Sequence, residues 1–111
     1  MLKKEVLRKK DDFDRIYRMG KSIGEKYIVL FFQKNDLPYS RIAFLASKKV
    51  GNSVQRNRAK RLMKESFRHL ESEIMTGYDF IIIARKPILS CKMDDVLQSM
   101  SRAIKKGKLF R

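Results

Sequence analysis

The sequence predicts one small domain that combines α-helices and β-strands, in the order helix, strand, strand, long helix, strand, helix. The chain has 111 residues, of which 43% are apolar, enough for a single modest core. Segments with apolar residues at helical spacing are interspersed with short segments dense in β-branched and aromatic residues. No repeat, low-complexity stretch or linker interrupts the chain, so residues 1–111 are expected to form one domain.

The first helix is predicted to run through Arg18, with Asp11 or Asp12 as its N-terminal cap and Gly20 just past its end. Acidic residues at this end also complement the helix dipole. One face of the helix is apolar and consists of Phe13, Ile16 and Tyr17.

Two strands are predicted next, over residues 27–33 and 41–47. The segment Asn35-Asp36-Leu37-Pro38 between them has turn chemistry, so the strands are expected to pair as an antiparallel hairpin. Side chains of the first strand alternate between two faces, with Ile28, Leu30 and Phe32 on one side and Tyr27, Val29 and Phe31 on the other. Both faces are apolar, so one must meet the core and the other needs a cover or a ligand.

A long helix is predicted to begin at residues 51–53, where Asn52 and Gln55 form a capping box. Its apolar residues recur at i, i+3, i+4, i+7 and i+8 and form one stripe: Ala59, Leu62, Met63, Ser66, Phe67, Leu70 and Ile74. The adjoining arc and the turn before it are basic, and we call this surface the ridge: Lys48, Lys49, Arg56, Asn57, Arg58, Lys60, Arg61, Lys64 and Arg68. One helix is therefore expected both to pack and to present cations.

The third strand and the last helix complete the predicted fold. Residues 78–84 are almost continuously apolar, which favours a central strand ended by Pro87. The last helix is predicted over residues 94–106, where Val96, Leu97, Met100, Ala103 and Ile104 share one face. It is expected to fray into a basic tail over residues 105–111.

The charge of the chain indicates a polyanionic partner. Residues 48–68 carry eight basic residues against one acid, Glu65, and the whole chain has a formal net charge of +15. An ordinary solvated helix face mixes the two signs, whereas this one hardly does. Nucleic acid is the first candidate and an anionic membrane surface the second.

Several classes of protein are disfavoured. No apolar run approaches the roughly 20 residues of a membrane-spanning helix, and residues 1–10 lack the apolar core of a secretory signal, so a cytoplasmic protein is expected. Cys91 is the only cysteine, which excludes an internal disulfide and a multi-cysteine zinc site. Its apolar neighbours predict a buried or half-buried thiol.

Three ordered blocks of the sequence resemble the protein subunit of bacterial ribonuclease P. The central block is residues 47–62, Ser-Lys-Lys-Val-Gly-Asn-Ser-Val-Gln-Arg-Asn-Arg-Ala-Lys-Arg-Leu. Asp12-Phe13, Ile16-Tyr17 and Gly20 precede it, and residues 81–87, Ile-Ile-Ile-Ala-Arg-Lys-Pro, follow it. A basic triplet alone would be weak, but three blocks at fitting separations are specific.

The resemblance implies a single α+β domain with a central mixed sheet, in which the long helix crosses between two parallel strands with the uncommon left hand. It also implies a division of labour. A catalytic RNA carries out the magnesium-dependent cleavage that removes the 5′ leader from precursor tRNA, with Mg²⁺ bound mainly by the RNA and the substrate. The protein is then an RNA-binding subunit, a monomer within the ribonucleoprotein, that binds the leader and assists catalysis. Dimerisation of the holoenzyme is left open.

The resemblance also assigns two surfaces. It places the ridge against the catalytic RNA near its active site. It places Phe13, Tyr17, Val29 and Phe31 in an open cleft that holds the single-stranded leader, where aromatic rings stack bases. Their spacing alone would favour a role in the core.

The residues themselves show no catalytic constellation. His69 is the only histidine, and the acidic cluster of Asp11, Asp12 and Asp14 is explained better by helix capping than by metal binding. No catalytic residue and no metal site is therefore predicted on the protein. Two alternatives remain: a ribosomal-type or duplex-RNA-binding protein that uses the same ridge, and an autonomous basic nuclease.

Overall fold

The computed structural model describes residues 5–111; residues 1–4, which begin the segment predicted to lack a secretory signal, lie outside the described residues. The elements are β1 (Glu5–Val6), α1 (Lys10–Met19), β2 (Lys21–Gly24), β3 (Ile28–Lys34), β4 (Arg41–Leu45), α2 (Ser53–Leu70), β5 (Tyr78–Ala84) and α3 (Met93–Lys106). Short 3₁₀ turns, Glu71–Glu73 and Lys86–Ser90, follow α2 and β5. The predicted order of the main elements is confirmed, while β1 and β2 were not predicted.

The strands form one mixed sheet in the order β1-β4-β5-β3-β2. β3 is antiparallel to β2 and β5, whereas β4 is parallel to β5 and β1. The predicted hairpin of β3 with β4 is therefore wrong, because β5 lies between them. Phe80, Ile81 and Ile82 of β5 are at most 1% exposed, and a strand that is apolar on both faces buries most surface at the centre of a sheet.

Helices cover both faces of the sheet. The larger core lies under α2 and α3 and includes Ile28, Leu30 and Phe32 of β3. A smaller cluster, which includes Ile16 of α1 and Ile81 of β5, lies on the opposite face. α2 connects the parallel neighbours β4 and β5, as the resemblance implied, and the hand of that crossover stays a prediction.

The N-terminus of α2 is built as predicted. The Asn52 side chain accepts a hydrogen bond from the Gln55 backbone N–H, and the Gln55 side chain accepts one from the Asn52 N–H, each at 2.9 Å. The predicted apolar stripe faces the larger core, where Ala59, Met63 and Phe67 are buried. This stripe fixes which arc of α2 faces solvent.

The predicted caps of α1 are half correct. Lys9 occupies the N-cap and makes no side-chain capping bond, so capping by Asp11 or Asp12 is wrong. At the other end, the Gly20 N–H donates to the Ile16 carbonyl at 2.8 Å. A Cβ at this glycine would lie 2.5 Å from the Ile16 carbonyl oxygen. The same Cβ would lie 2.8 Å from the Phe32 carbonyl oxygen of β3, so glycine lets α1 end in close contact with that strand.

The C-terminal tail packs against the domain, so the prediction that it frays is wrong. Leu109 is buried and Phe110 forms an antiparallel bridge with Ile74. The Arg111 backbone N–H donates to the Glu73 carbonyl at 2.9 Å. Two apolar side chains in the tail outweigh its basic composition because they cover the turn after α2. None of the helices in the described part of the chain is long and apolar enough to cross a membrane.

Candidate nucleic-acid interface

The ridge forms a continuous cationic surface on the solvent side of α2. Its central row follows helical spacing at i, i+4, i+7 and i+11 and is exposed throughout: Asn57, Arg61, Lys64 and Arg68. Arg68 pairs with Glu65 on its own helix. Within residues 5–111, Arg61 and Lys64 take part in no ion pair. Their charge is therefore available to an anionic partner.

The N-terminal end of α2 adds to this positive surface. Lys48 and Lys49 are exposed in the turn that precedes the helix. The first turn of α2 contains no acidic residue, although acids are favoured at that end of a helix. Arg56 and Lys60 are half-buried along the flank, and the Arg56 guanidinium donates to the Ser53 hydroxyl at 3.3 Å. The helix dipole and the side chains thus carry the same sign at this end.

Arg58 differs from the other ridge cations because its guanidinium is held by the protein. It donates to the Cys91 carbonyl at 3.1 Å and to the Leu89 carbonyl at 3.5 Å. These contacts fasten the turn before α3 to α2. The sequence groups Arg58 with the ridge, whereas the structure shows that it also stabilises the packing of two helices.

The four residues predicted for the leader cleft lie together on the sheet face that α1 covers. The Tyr17 and Phe31 rings meet edge to face, with centroids 5.0 Å apart, and the Phe13 ring centroid lies 6.3 Å from that of Tyr17. Tyr17 remains 42% exposed, and burial of the rest raises the pKa of its hydroxyl. Val29 is half-buried two residues before Phe31 on the same strand face. We call these four residues the aromatic strip.

The apolar floor extends beyond the aromatic strip. Val29 pairs with Ile83 across the sheet, and Ile83 pairs with Leu45. Leu45 and Ile83 are half-buried and pack on the smaller cluster. The sequence pattern of β5 could not predict that Ile83 belongs to this floor, because both faces of β5 carry apolar residues. Tyr27, predicted on this face, instead precedes β3 and packs against the larger core.

A buried carboxylate ties α1 to the sheet beside the aromatic strip. Asp79 of β5 has a fully buried side chain and accepts two hydrogen bonds from Arg41, at 2.7 and 2.8 Å. It accepts one from Arg15 of α1 at 2.7 Å and one from Asn35 at 2.9 Å. Burial alone would raise the pKa of Asp79, but the hydrogen bonds from Arg41, Asn35 and Arg15 outweigh it and hold the pKa below its usual range.

The same cluster explains Asp12. Its carboxylate contacts Arg15 at 3.2 Å and Arg41 at 3.4 Å. Asp12 therefore helps to neutralise the two arginines that hold Asp79, which is the role it has in place of capping α1. Arg15 also donates to Gln33 of β3. Sequence reasoning missed Asp79, although a lone acid inside an apolar strand is a visible signal of a buried ion pair.

Among residues 5–111, no three side chains of histidine, cysteine, aspartate or glutamate come together in a way that fits a metal ion. Asp12 and Asp79, which lie beside the aromatic strip, are engaged with arginines. The absence of a metal site on the protein stays a prediction.

Comparisons with known proteins agree on one family. The sequence model of the family Ribonuclease P matches residues 1–108. A ribonuclease P protein component of Bacillus cereus (strain 03BB102) is 38% identical over 112 residues, covering 100% of this chain and 97% of the relative. Its counterpart in Thermoanaerobacter sp. (strain X514) is 38% identical over 104 residues, covering 94% of this chain and 90% of the relative.

The solved structures agree in fold as well. The RNase P protein of Staphylococcus aureus superposes with a TM-score of 0.86 at 33% identity, over 98% of this chain and 100% of that one. The predicted α+β fold class is thus confirmed, apart from the hand of the crossover. A cationic α2, a mixed sheet with a half-exposed aromatic strip and matches along almost the whole sequence lead to one conclusion: the chain belongs to the ribonuclease P protein family.

Proposed function

We propose that this chain is the RNA-binding protein subunit of ribonuclease P, which acts with a catalytic RNA to remove the 5′ leader from precursor tRNA. The observation that carries the proposal is the separation of two surfaces. The ridge lies on α2, on one side of the sheet, and the aromatic strip lies beside α1, on the other. Each surface has the chemistry of a different RNA contact.

The ridge suits the phosphates of a folded catalytic RNA. Guanidinium groups bind phosphate with two parallel hydrogen bonds, whereas the lysines add point charges. Arg61 and Lys64 carry no internal partner in the described chain, so RNA phosphates can neutralise them without breaking an ion pair. Release of counterions from the RNA then supplies much of the binding free energy.

The aromatic strip suits the single-stranded leader. An exposed Tyr17 ring, set edge to face against Phe31, offers a stacking surface that tolerates any base. The floor is apolar and includes Val29, so bases rather than phosphates are expected to lie on it. Binding the leader here lets the protein position the precursor while the RNA performs cleavage.

The chemistry of cleavage is assigned to the RNA. Mg²⁺ supplies charge stabilisation and an activated water for phosphodiester cleavage, and we propose that the RNA and the substrate bind it. The protein's part is to bind and orient the precursor. The holoenzyme is proposed to act in the cytoplasm with one protein per catalytic RNA, and dimerisation is left to measurement.

Reconstitution tests the proposal as a whole. Purified protein with Mg²⁺ should leave precursor tRNA intact, and addition of the cognate catalytic RNA should yield mature 5′ ends. If RNA-free protein produced the same cut by itself, the chain would be an autonomous nuclease. If it failed to bind the catalytic RNA but bound generic duplex RNA, it would be a duplex-binding protein.

Leader binding is tested by truncating the aromatic strip. Tyr17→Ala removes a stacking surface worth roughly 1–3 kcal/mol per base, so holoenzyme affinity should fall for precursors with long leaders and stay unchanged for mature tRNA. Tyr39→Ala is the matched control, because Tyr39 is similarly exposed at 39% but lies in the loop before β4. If Tyr17→Ala lost no more affinity for long-leader precursors than Tyr39→Ala does, the aromatic strip would not be the leader site.

A further inference from the structure

A second basic concavity lies away from both the ridge and the aromatic strip. It opens where the C-terminus of α3 meets the β2 edge of the sheet, and two adjoining hollows of about 450 and 260 Å³ share Lys21, Phe32 and Gly107 as lining residues. Lys34 and Lys108 lie on its rim. We call this concavity the edge groove.

The strand register places the groove lysines on one face of the sheet. Lys21 of β2 is directly opposite Phe32 of β3, so their side chains share a face. Lys34 is two residues beyond Phe32 and therefore lies on that face as well. Phe32 belongs to the core beneath α3, which places both lysines on the side of the sheet that carries α2 and α3.

The edge groove has unneutralised positive charge. Lys106 also lines it, but its ammonium contacts the Glu25 carboxylate at 2.7 Å. No acidic residue lines either hollow. Within the described residues, Lys21, Lys34 and Lys108 take part in no ion pair. Three cations therefore face one concavity without an anionic partner.

The wall and floor of the groove are fixed in place. Glu25, in the turn before β3, is buried and also accepts a hydrogen bond from Arg102 at 2.9 Å, so it joins α3 to the sheet edge through two cations. The hydrogen bond from Lys106 has the largest effect on the pKa of Glu25, and with the bond from Arg102 it holds that pKa below its usual range, although burial alone would raise it. A Cβ at Gly107 would lie 3.0 Å from the Phe32 ring. The glycine lets α3 end against the aromatic floor and leaves that floor open.

We propose that the edge groove binds backbone phosphates of the catalytic RNA, as a second contact besides the ridge; this inference rests on the proposed function. α3 packs beside α2 on the same sheet face, so the groove and the ridge belong to one helical layer. The aromatic strip, which is assigned to the precursor, lies on the opposite face. A large folded RNA held by the ridge can therefore pass around α3 and reach the groove.

The test compares two triple variants with equal loss of charge. The groove variant is Lys21→Gln, Lys34→Gln and Lys108→Gln. The control variant is Lys9→Gln, Lys26→Gln and Lys86→Gln, three lysines outside the ridge and the groove. Both are first checked for a wild-type thermal transition. Binding of the full chain to the catalytic RNA is then measured across monovalent salt concentrations.

Each phosphate contact contributes close to one unit to the slope of log affinity against log salt concentration. We expect the groove variant to lower that slope by about 2 to 3 and the control variant by less than about 1. Equal slopes for the two variants overturn the inference. Arg61→Gln distinguishes failure of this inference from failure of the proposed function. Only the edge groove is refuted if the wild-type protein binds the catalytic RNA, Arg61→Gln lowers the slope, and the groove variant has the same slope as its control. If wild type does not bind the catalytic RNA at all, both fail.

A tethered probe identifies which RNA occupies the groove. Lys108 lines the groove and is exposed, whereas the native Cys91 is buried, so an iron–EDTA reagent attaches selectively to Lys108→Cys, which leaves Lys21 and Lys34 in place. In the assembled holoenzyme with precursor tRNA, strand scission in the catalytic RNA supports the inference. Scission confined to the precursor, or no scission, overturns it.

Discussion

Replacing Asp79 with asparagine removes the charge that joins α1 to the centre of the sheet. The side chain is fully buried and accepts four hydrogen bonds, three of them from Arg15 and Arg41. An amide of the same shape keeps one acceptor oxygen but puts an NH₂ group against two guanidinium groups. The two bonds to the second oxygen, both 2.7 Å, are the ones lost.

The expected cost follows from these contacts. Hydrogen bonds to charged groups contribute roughly 1.5–3 kcal/mol each, and breaking a buried ion pair costs about 3–5 kcal/mol. Arg15 and Arg41 are partly exposed and keep contact with Asp12, so part of their lost solvation is recovered. We therefore expect Asp79→Asn to lower the free energy of unfolding by about 3 kcal/mol, which corresponds to about 10–15 °C in Tm for a domain of this size.

The assay is urea unfolding at pH 7, with Asp12→Asn as the matched control. The control makes the same chemical change beside the same two arginines, but its carboxylate is partly exposed and its contacts are longer, at 3.2 and 3.4 Å. It should cost at most about 1 kcal/mol. Comparable losses for the two variants would show that burial of Asp79 is not what makes its ion pairs strong.

The pH dependence supplies an independent check. Because the pKa of Asp79 is lowered in the folded state, its contribution to stability is complete above the ordinary aspartate pKa of about 3.9 and is lost as pH falls through the lower folded-state pKa. The gap in unfolding free energy between wild type and Asp79→Asn should thus be full at pH 7 and narrow below about pH 4. A gap that stays constant down to pH 2 would refute the reasoning.

Three further predictions concern the ridge, the end of α1 and the buried thiol. Arg61→Ala should lower the slope of log affinity for the catalytic RNA against log salt concentration by about 1 and leave Tm near the wild-type value. Arg58→Ala should lower Tm more than Arg61→Ala does, because Arg58 bonds backbone carbonyls. The same slope and the same Tm in both variants would contradict this. Gly20→Ala should cost roughly 1–3 kcal/mol, since its Cβ would lie 2.5 Å from a carbonyl oxygen. Gly24→Ala, whose Cβ would have its nearest contact at 3.9 Å, should be neutral, and a loss equal to that of Gly20→Ala would count against the steric argument. Burial raises the pKa of Cys91, so a thiol reagent should modify it slowly in the native protein and rapidly in urea; fast native reaction would contradict its burial.

Much of the local structure was predictable because it depends on neighbours in sequence. The capping box of α2 joins residues three apart, and its apolar stripe and cationic arc follow from helical spacing alone. The third strand and the last helix were also placed nearly correctly. The four residues of the aromatic strip come together in the structure, but their function as a leader site stays a prediction.

Strand order was decided by tertiary structure. A turn-forming segment between β3 and β4 favours a local hairpin, but β5 is apolar on both faces and takes the position between them. β1 and β2 are short edge strands whose partners, rather than their own residues, specify their conformation. The tail was misjudged for the same reason: Leu109 and Phe110 find apolar partners only after the chain has folded.

The sequence by itself determined the family resemblance, the cationic character of α2 and which face of each main helix is apolar, because motifs, charge and helical periodicity depend only on residues that are close together in the chain. The tertiary structure decided which of these charges are free. Arg58 is bound to carbonyls 31 and 33 residues away, and Asp79 collects its partners across separations of 38 to 64 residues. Lys21, Lys34 and Lys108 converge on one groove only because strand pairing and the end of α3 bring them together. Electrostatic interactions depend on distance in space, and separation along the chain does not specify that distance.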